Sequence, residues 1–374
     1  MLIRIIDMMK PDLKVELTDP FRFKDGSRVS TADEWPQRRL EMLDIIVGIE
    51  YGGLPPVPVS TVAEELHTHL AEDARFISCR VICGPNCAFS FPMQLLVPPG
   101  SGTFPVVLTG DACWRYVTDE IASEILSRGM ILAQFNRVEI APDIYNSDRT
   151  SGIYHIYPDE TYGALSAWAW GYHRCVDALL GMDFVDGSHI AVVGHSRGGK
   201  TALLAGATDE RIALTSANCS GAGGAGCYRS QGPESEQLSD LLRAVPYWFG
   251  PRLQDYIGRE IELPFDQHFL KSLVAPRALL TTETIDDLWA NPTGTWQTHA
   301  AAREVYRFLQ AENRICIRFR EGEHEHNADD WRDFLDFMEW QLCGGTRPGG
   351  LNQNPFEGLM PAYSWTAPGP ILTA

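Results

Sequence analysis

Residues 190–206, IAVVGHSRGGKTALLAG, constrain the fold more than any other stretch of this sequence. The first five of them are apolar or small, as in a strand that is buried on both faces of a sheet. The segment after Gly199 is rich in residues that favour helices. Glycines at 194 and 198 flank Ser196, which is typical of a sharp turn. The stretch therefore predicts a strand, a tight turn that carries Ser196, and a helix.

Strand and helix patterns alternate along most of the chain. Further apolar runs that predict buried strands lie at 104–110, 130–135, 211–221, 276–283 and 315–324. Helical patterns at 120–129 and 163–182 separate some of these strands. Alternating patterns on both sides of a turn at 84–86 predict two antiparallel strands within 74–98. This order predicts an α/β fold, a three-layer sandwich in which helices cover both faces of a mostly parallel central sheet with antiparallel N-terminal edge strands.

The chain divides into three parts. In residues 1–60 the side chains Leu40, Leu43 and Val47 recur at helical spacing, and we expect a helical and loop extension that packs on the core. Residues 61–343 contain the alternating elements and are expected to form the catalytic domain. Residues 344–374 are rich in glycine and proline, which predicts an irregular tail that lies on the surface or is partly disordered.

The charge of the chain argues against several classes of partner. The formal net charge is −18 and no basic run offsets it, so neither nucleic acid nor a membrane is an expected partner. No apolar stretch is long enough to span a bilayer. The first residues are interrupted by charge too soon for a secretory signal, so the sequence as written favours the cytoplasm, although an exported protein without its leader would look the same. We expect a monomer.

The cysteines and histidines do not form a recognisable metal motif. Nine cysteines are an odd number, which favours reduced thiols over a disulfide framework. The closest pair, Cys83 and Cys87, lacks a second pair at zinc-finger spacing. Glutamates alternate with His324 and His326, but no companion ligands at metal spacing are evident. We expect neither a metal nor a cofactor.

Ser196 lies in the motif G-x-S-x-G, in which the serine of many hydrolases acts as a nucleophile. The alternative is a glycine-rich turn without chemistry. A side chain at Gly194 or Gly198 is expected to collide with neighbouring backbone of the turn. The start of the following helix directs N–H groups to the place where an oxyanion would form, and a further N–H group is expected near Gly110 or Asp111.

A serine hydroxyl is a weak nucleophile until a base removes its proton, so an acid and a histidine should follow Ser196 along the chain. Asp286 and Asp287 follow one predicted strand, and His324 and His326 follow the next. Both pairs are expected at the carboxyl ends of parallel strands, the edge at which such sheets bind ligands. We rank His324 first as the base.

The chain resembles the glucuronoyl esterases, the fifteenth family of carbohydrate esterases. The likeness rests on the extension of the serine motif to S-R-x-G-K, on APRALL at 275–280 and on DLWA at 287–290. It covers roughly residues 35–343. The resemblance implies an α/β-hydrolase fold, no metal, and cleavage of the ester between a glucuronic acid, often 4-O-methylated, and an alcohol of lignin. It also implies Ser196 as nucleophile and His324 as base.

The resemblance further implies contacts with the substrate. It assigns Arg197 as the side chain that helps to stabilise the oxyanion and Lys200 as a contact of the sugar hydroxyls. Gln237 and Trp289 match positions that contact the uronate ring. The alternative for Arg197 and Lys200 is that they are solvated side chains, paired with acidic residues at the end of the same helix. The alternative for Trp289 is ordinary packing. We expect Trp248 in the core.

One departure from the family pattern bears on the triad. Many members carry the triad glutamate just before a Ser-Gly-x-Gly-Gly stretch, and here Cys219 occupies that place. A thiol cannot orient and balance an imidazolium as a carboxylate does. The acid is therefore expected from the loop after the next strand, with Asp287 first and Asp286 second.

The expected function is that of a serine esterase, which cleaves a small or oligosaccharide ester of (4-O-methyl-)glucuronic acid through an acyl-enzyme. One alternative is an esterase for a different small or aryl ester, because a fold and a triad do not determine which acid is released. Another is a catalytically silent carbohydrate-binding homologue, which the complete set of serine, aspartate and histidine disfavours.

Overall fold

The computed structural model describes residues 16–71, 74–113, 117–144 and 149–369. The strands in this part of the chain are β1 (Val62–Ala71), β2 (Ala74–Cys83), β3 (Phe89–Val97), β4 (Phe104–Thr109), β5 (Ile131–Phe135), β6 (Val185–His195), β7 (Leu214–Asn218), β8 (Ala278–Thr284) and β9 (Ile315–Arg320). The α-helices are α1 (Trp35–Ile46), α2 (Asp119–Ser127), α3 (Ile153–Ile156), α4 (Ala164–Leu180), α5 (Arg197–Thr208), α6 (Leu238–Ala244), α7 (His268–Val274), α8 (Pro292–Phe308) and α9 (Ala328–Leu342).

These strands form one sheet with an antiparallel and a parallel part. Their spatial order is β1-β2-β3-β5-β4-β6-β7-β8-β9. Strands β1, β2 and β3 run antiparallel to their neighbours, whereas β5, β4, β6, β7, β8 and β9 are parallel to one another. The predicted α/β sandwich with antiparallel edge strands is confirmed.

Strand β1 was not predicted from the sequence. It is the edge strand at the antiparallel end of the sheet, and Val62, Leu66 and Leu70 along it are 53%, 49% and 75% exposed. Because its side chains are not sorted into a buried and a solvated face, the strand has no alternating pattern that would reveal it.

Helices cover both faces of the parallel strands. The larger core includes Trp168, Trp170 and Tyr172 of α4, each at most 1% exposed. On the other face, residues such as Ile125 of α2 and Phe334 of α9 pack in a second core. The apolar strands are buried between these two layers, which explains their continuous apolar runs.

The parallel arrangement brings the candidate site residues to one edge of the sheet. Asp111 follows β4, Ser196 follows β6, and Cys219 follows β7. Asp287 comes after β8 and His324 after β9. Because parallel strands end at the same edge, these residues from five separate segments lie on the same side of the molecule.

The two ends of the described chain pack against each other. The backbone N–H of Leu17 donates to the carbonyl of Ala362 at 2.8 Å, and the indole N–H of Trp365 donates to the carbonyl of Leu17 at 2.7 Å. Asn352 lies beside β9, where its backbone N–H donates to the carbonyl of Ile317 at 2.8 Å. These contacts hold the segment after α9 on the surface of the sandwich.

Over 344–369 the chain forms neither helix nor strand. The predictions for residues 1–15, which include most of the segment assessed for a secretory signal, and for residues 370–374 fall outside the described residues. Within the described ranges, no helix combines the length and the apolar composition that crossing a bilayer requires.

Candidate active site

Ser196, His324 and Asp287 are joined by hydrogen bonds at the carboxyl edge of the sheet. Ser196 Oγ lies 3.0 Å from His324 Nε2, and His324 Nδ1 lies 2.5 Å from Asp287 Oδ2. The Asp287 side chain is 7% exposed and that of His324 is 43% exposed. The carboxylate is thus shielded from water while the imidazole remains accessible. In this arrangement His324 can accept the proton of Ser196 and Asp287 can stabilise the resulting charge.

Two other carboxyl groups near Asp287 have different surroundings. Asp286 Oδ2 accepts the backbone N–H of Gly322 at 2.9 Å and so ties the loop after β8 to the loop that carries His324. Glu283, within β8, is buried, and neither carboxyl oxygen has a hydrogen-bond partner among the described residues. Burial raises the pKa of Glu283 well above its ordinary value. Asp287, ranked first from the sequence, is the carboxylate that the structure brings to His324.

The backbone of the turn at Ser196 is strained. Ser196 has φ 55° and ψ −121°, and its backbone N–H donates to the carbonyl of Asn218 at 2.9 Å. A Cβ at Gly194 would overlap the carbonyl of Gly198, as the sequence led us to expect. At position 198 the expected reason is wrong, because the nearest group is a side chain and not backbone: a Cβ there would lie 2.5 Å from Asp111 Oδ2.

A stack of imidazole rings lies behind the catalytic candidate His324. The His195 ring centroid is 4.7 Å from that of His324 and 5.8 Å from that of His326, and the His326 ring stacks on Trp331 at 4.5 Å. His195 Nδ1 lies 2.5 Å from Asn218 Oδ1. Burial lowers the pKa of His195, although the hydrogen bond to Asn218 opposes this. His326 therefore packs against the ring of His195, while His324 alone of the two candidates is bonded to the serine.

Arg197 has a fixed partner beside the serine. Its Nη1 donates to Asp143 Oδ2 at 2.7 Å, and its guanidinium lies 4.9 Å from the ring centroid of Trp248. Asp143 Oδ1 also accepts the Tyr247 hydroxyl and the Trp248 indole N–H, each at 2.8 Å. Burial raises the pKa of Asp143, but the hydrogen bonds outweigh it and hold the pKa below its ordinary value. Trp248 is buried as expected and also supports the Arg197 guanidinium.

Lys200 lies one turn further along α5 and is only 5% exposed. Its Nζ donates to the carbonyl of Ser220 at 2.7 Å and to that of Ala222, and it lies 3.7 Å from the carboxylate of Glu236. Burial lowers the pKa of Lys200, and the charge of Glu236 opposes this. An ammonium group has three N–H donors. Lys200 therefore reaches a sugar hydroxyl only by exchanging one of these partners, of which Glu236 is the most distant.

The N–H groups expected after β4 already have acceptors within the protein. The Gly110 N–H donates to the Tyr172 hydroxyl at 2.7 Å, and the Asp111 N–H donates to Thr109 Oγ1 at 3.3 Å. This corrects the expectation that one of them would hold an oxyanion. The backbone N–H of Arg197 is instead the first of helix α5, at the positive end of the helix.

An open cleft of about 710 Å³ leads to His324. Its lining includes Trp289, whose side chain is 54% exposed, and the acidic residues Glu234, Asp286 and Glu323. No lysine or arginine is among the described residues that line it. An exposed aromatic ring beside the reacting groups offers a surface on which a sugar ring or an aromatic alcohol can stack.

The sequence matches a family model described as glucuronyl esterase of fungi over residues 83–310, more than half of the chain. The chain belongs to the glucuronyl esterase family. It is 33% identical to the 4-O-methyl-glucuronoyl methylesterase of Podospora anserina, over 79% of this chain and 61% of that protein. The chain thus spans less than two thirds of the length of this relative.

Solved structures of the family share the fold. A glucuronoyl esterase of carbohydrate esterase family 15 from Caldicellulosiruptor kristjansonii matches with a TM-score of 0.80 at 29% identity, over 95% of this chain and 98% of that one. A promiscuous esterase of the same family from a marine bacterial metagenome matches with a TM-score of 0.79 at 26% identity, over 90% of this chain and 99% of that one. The resemblance found in the sequence and the α/β-hydrolase fold are confirmed.

Cys219 lies close to Asp287 and His324. Its Sγ is 3.4 Å from Thr284 Oγ1, and burial raises the pKa of the thiol well above its ordinary value. One ligand atom each of Cys219, Asp287 and His324 lies within 4.8 Å of the others. A metal needs the thiolate, whereas burial favours the neutral thiol of Cys219, so this donor set does not fit a resident metal.

Gln237 does not line the cleft that leads to His324. Its Nε2 donates to the carbonyl of Ser235 at 3.1 Å, and its side chain lines a different cavity. The residue before it, Glu236, is the one whose carboxylate approaches Lys200, and its N–H donates to the carbonyl of Trp289 at 3.0 Å. The uronate contact of Gln237 stays a prediction, and Glu236 is the side chain that lies nearer to Lys200.

The carboxylates that support the site were not predicted as functional residues. Asp111 bonds a residue 84 positions away, and Asp143 bonds one 54 positions away. Glu236 likewise reaches Lys200 from a separate loop. No local pattern marks such residues, since they lie on irregular segments. The only available signal was that buried cations near the serine require acidic partners.

Proposed function

We propose that this chain hydrolyses esters of glucuronic acid with alcohols by covalent catalysis at Ser196. The observation that carries the proposal is the continuous hydrogen-bond path from Ser196 through His324 to Asp287 on a glucuronyl esterase scaffold. The substrate is a uronate ester, either small or carried on an oligosaccharide. The Podospora relative is named for 4-O-methyl-glucuronoyl methyl esters, which supports this substrate class.

The first half of the reaction forms an acyl-enzyme. His324 Nε2 accepts the proton of Ser196 Oγ while that oxygen bonds to the ester carbonyl carbon, and the carbonyl oxygen gains a negative charge. Asp287 stabilises the imidazolium through Nδ1. The bond to the alcohol oxygen then breaks, and His324 returns the proton to the departing alcohol.

The second half releases the acid. Water gives a proton to His324 Nε2 and attacks the acyl carbon, and a second oxyanion forms. Its collapse breaks the bond to Ser196 Oγ, which regains the proton from His324. The products are a uronic acid and the free enzyme.

The oxyanion of both steps is proposed to lie at the start of α5. There the backbone N–H of Arg197 and its guanidinium can face the developing charge. Asp143 and Trp248 hold the guanidinium, so little reorganisation is needed at the moment of reaction. One such donor contributes about 10²–10³ in kcat in enzymes of this type.

The uronate ring is proposed to bind beside Trp289. The exposed indole offers a stacking face, and Glu236 with Lys200 offers an acceptor and a donor for sugar hydroxyls. Trp289 and Glu236 are joined by a backbone hydrogen bond, so the two contacts move together.

The test compares kcat/KM on benzyl glucuronate and on p-nitrophenyl acetate, with Ser196→Ala as the matched control. We expect efficient cleavage of the glucuronate and loss of nearly all activity in the control. A high rate on the acetate with none on the glucuronate would reject the uronate substrate. Unchanged glucuronate cleavage by Ser196→Ala would reject the nucleophile.

A second candidate is an esterase of broader substrate range. The open cleft beside His324 favours this candidate, because it does not enclose the acid part of an ester. The likeness to the promiscuous esterase from the marine metagenome also favours it. Comparable kcat/KM values on both substrates would support this candidate over a dedicated glucuronoyl esterase.

A further inference from the structure

Asp111 places a carboxylate against the nucleophile elbow. It follows β4, and its Oδ2 accepts the backbone N–H of His195, the residue before the serine, at 2.8 Å. The same carboxylate lies against the first turn of α5, because a Cβ at Gly198 would come within 2.5 Å of Oδ2 and nearer still to Oδ1. The glycine at 198 thus leaves room for Asp111, and the two residues are sterically matched.

A negative charge at this place is unfavourable for ester hydrolysis on its own. The first turn of a helix carries partial positive charge, which stabilises an oxyanion formed at the serine. The Asp111 carboxylate occupies the same end of helix α5 and would compete for that charge. The position therefore needs a compensating cation.

Arg137 supplies the cation. Its Nη1 donates to Asp111 Oδ1 and, at 3.4 Å, to the carbonyl of Gly110, which also accepts the Arg137 backbone N–H at 3.2 Å. The residue is 2% exposed, and its guanidinium lies 5.3 Å from the ring centroid of Trp168. Burial lowers the pKa of Arg137, but the charge of Asp111, together with smaller contributions from Cys113, Tyr172 and Asp143, outweighs burial and holds that pKa above its ordinary value. Arg137 is thus fixed and charged.

We propose that the ion pair of Asp111 and Arg137 positions the nucleophile elbow, in which Asp111 bonds the backbone before Ser196 and packs against Gly198 after it, and Arg137 cancels the charge that Asp111 brings near the oxyanion. The inference rests on the proposed role of Ser196 as nucleophile. Neither residue is placed in contact with the substrate, so both are positioning residues. Their effect is therefore on kcat and on the reactivity of Ser196, and only weakly on KM.

The first test measures the rate at which a p-nitrophenyl phosphonate ester inactivates Asp111→Asn and Asp111→Ala. This probe reports on Ser196 without requiring recognition of a sugar. Asparagine keeps an acceptor for the His195 N–H, so we expect its rate within about tenfold of the parent and the alanine variant slower by about a further tenfold, with KM for benzyl glucuronate within about twofold. Equal rates for Asp111→Ala and the parent would overturn the proposal.

The second test concerns the charge. Arg137→Met leaves Asp111 uncompensated, so we expect inactivation by the phosphonate to slow about a hundredfold, and Asp111→Asn in the same background to recover about tenfold. A merely structural role of Arg137 predicts no recovery, and that result would overturn the charge cancellation. Circular dichroism of each variant checks folding.

A third comparison does not depend on the folding of Arg137→Met. A Cβ at position 198 displaces the carboxylate, so Gly198→Ala and Asp111→Ala should remove the same contact, and the double variant should be no slower than the slower single one. Additive losses would overturn the steric match. If the parent is phosphonylated at Ser196 but does not cleave benzyl glucuronate, the substrate proposal alone fails. If Ser196 is not phosphonylated, both proposals fail.

Discussion

The two sides of Ser196 are held by different means. On one side, His324 bonds to both the serine and Asp287, and both residues come from loops that follow strands. On the other side, Arg197 and Lys200 project from α5 and bond to groups of distant loops. We infer that the first side serves proton transfer, with one further contact from the Ala290 N–H to Asp287 Oδ1 at 3.4 Å, whereas the cations on the second side bond mainly to the scaffold.

Asp287→Asn should show the largest effect and defines the proton-transfer side. The amide cannot balance an imidazolium, so kcat on benzyl glucuronate should fall by about 10⁴. Asp286→Asn is the matched control, because an amide oxygen can still accept the Gly322 N–H, and its kcat should stay within about threefold. Similar losses in the two variants would mean that Asp287 is not the only acid that serves His324.

Arg197→Met tests whether the other side contributes to the reaction itself. We expect kcat about a hundredfold lower, since one oxyanion donor is lost. Asp143→Asn should cost about tenfold, because the guanidinium keeps its place over Trp248 but loses its charged partner. If Arg197→Met raises KM and leaves kcat unchanged, the guanidinium binds the substrate and does not stabilise the oxyanion.

Lys200→Met tests whether the Lys200 ammonium stabilises the folded protein. Two carbonyls of the loop at 220–222 lose a charged donor, so the free energy of unfolding should fall by about 2 kcal/mol in urea titrations. Glu236→Gln, which keeps both carbonyl contacts, is the control and should lose less. Unchanged stability together with a selective loss on benzyl glucuronate would assign Lys200 to the substrate and not to the scaffold.

Trp289→Ala should have the smallest effect and concerns the cleft beside His324. Loss of the stacking face should raise KM for benzyl glucuronate about fivefold, with little change in the free energy of unfolding because the indole is half exposed. p-Nitrophenyl acetate, which has no sugar ring, provides the comparison substrate. Equal changes on both substrates would remove Trp289 from the uronate site.

Candidate site residues could be predicted from the sequence where they come shortly after the end of a strand. Ser196, Asp287 and His324 each come shortly after a segment whose apolar run marks it as a buried strand, and parallel pairing alone brings such ends together. The edge strand β1 was missed because its exposed side chains carry no apolar pattern. Local pattern therefore located most of the sheet and the three residues that the structure joins by hydrogen bonds.

The supporting groups could not be located in this way. Asp111, Asp143 and Glu236 lie outside helices and strands. Their cationic partners are Arg137, Arg197 and Lys200, which are distant along the chain, so only the folded structure shows these pairings. Glu236 and Gln237 are adjacent in a loop, yet the carboxylate of Glu236 approaches Lys200 while Gln237 lines a separate cavity, which no periodicity predicts.

The most direct test of the triad is site-resolved mass spectrometry after treatment with the p-nitrophenyl phosphonate ester. We expect one adduct per chain on Ser196, with labelling abolished in His324→Ala and strongly slowed in Asp287→Asn. Labelling of a different residue, or a parent chain that cleaves benzyl glucuronate while Ser196 remains unmodified, would contradict the assignment of Ser196, His324 and Asp287 as one catalytic unit.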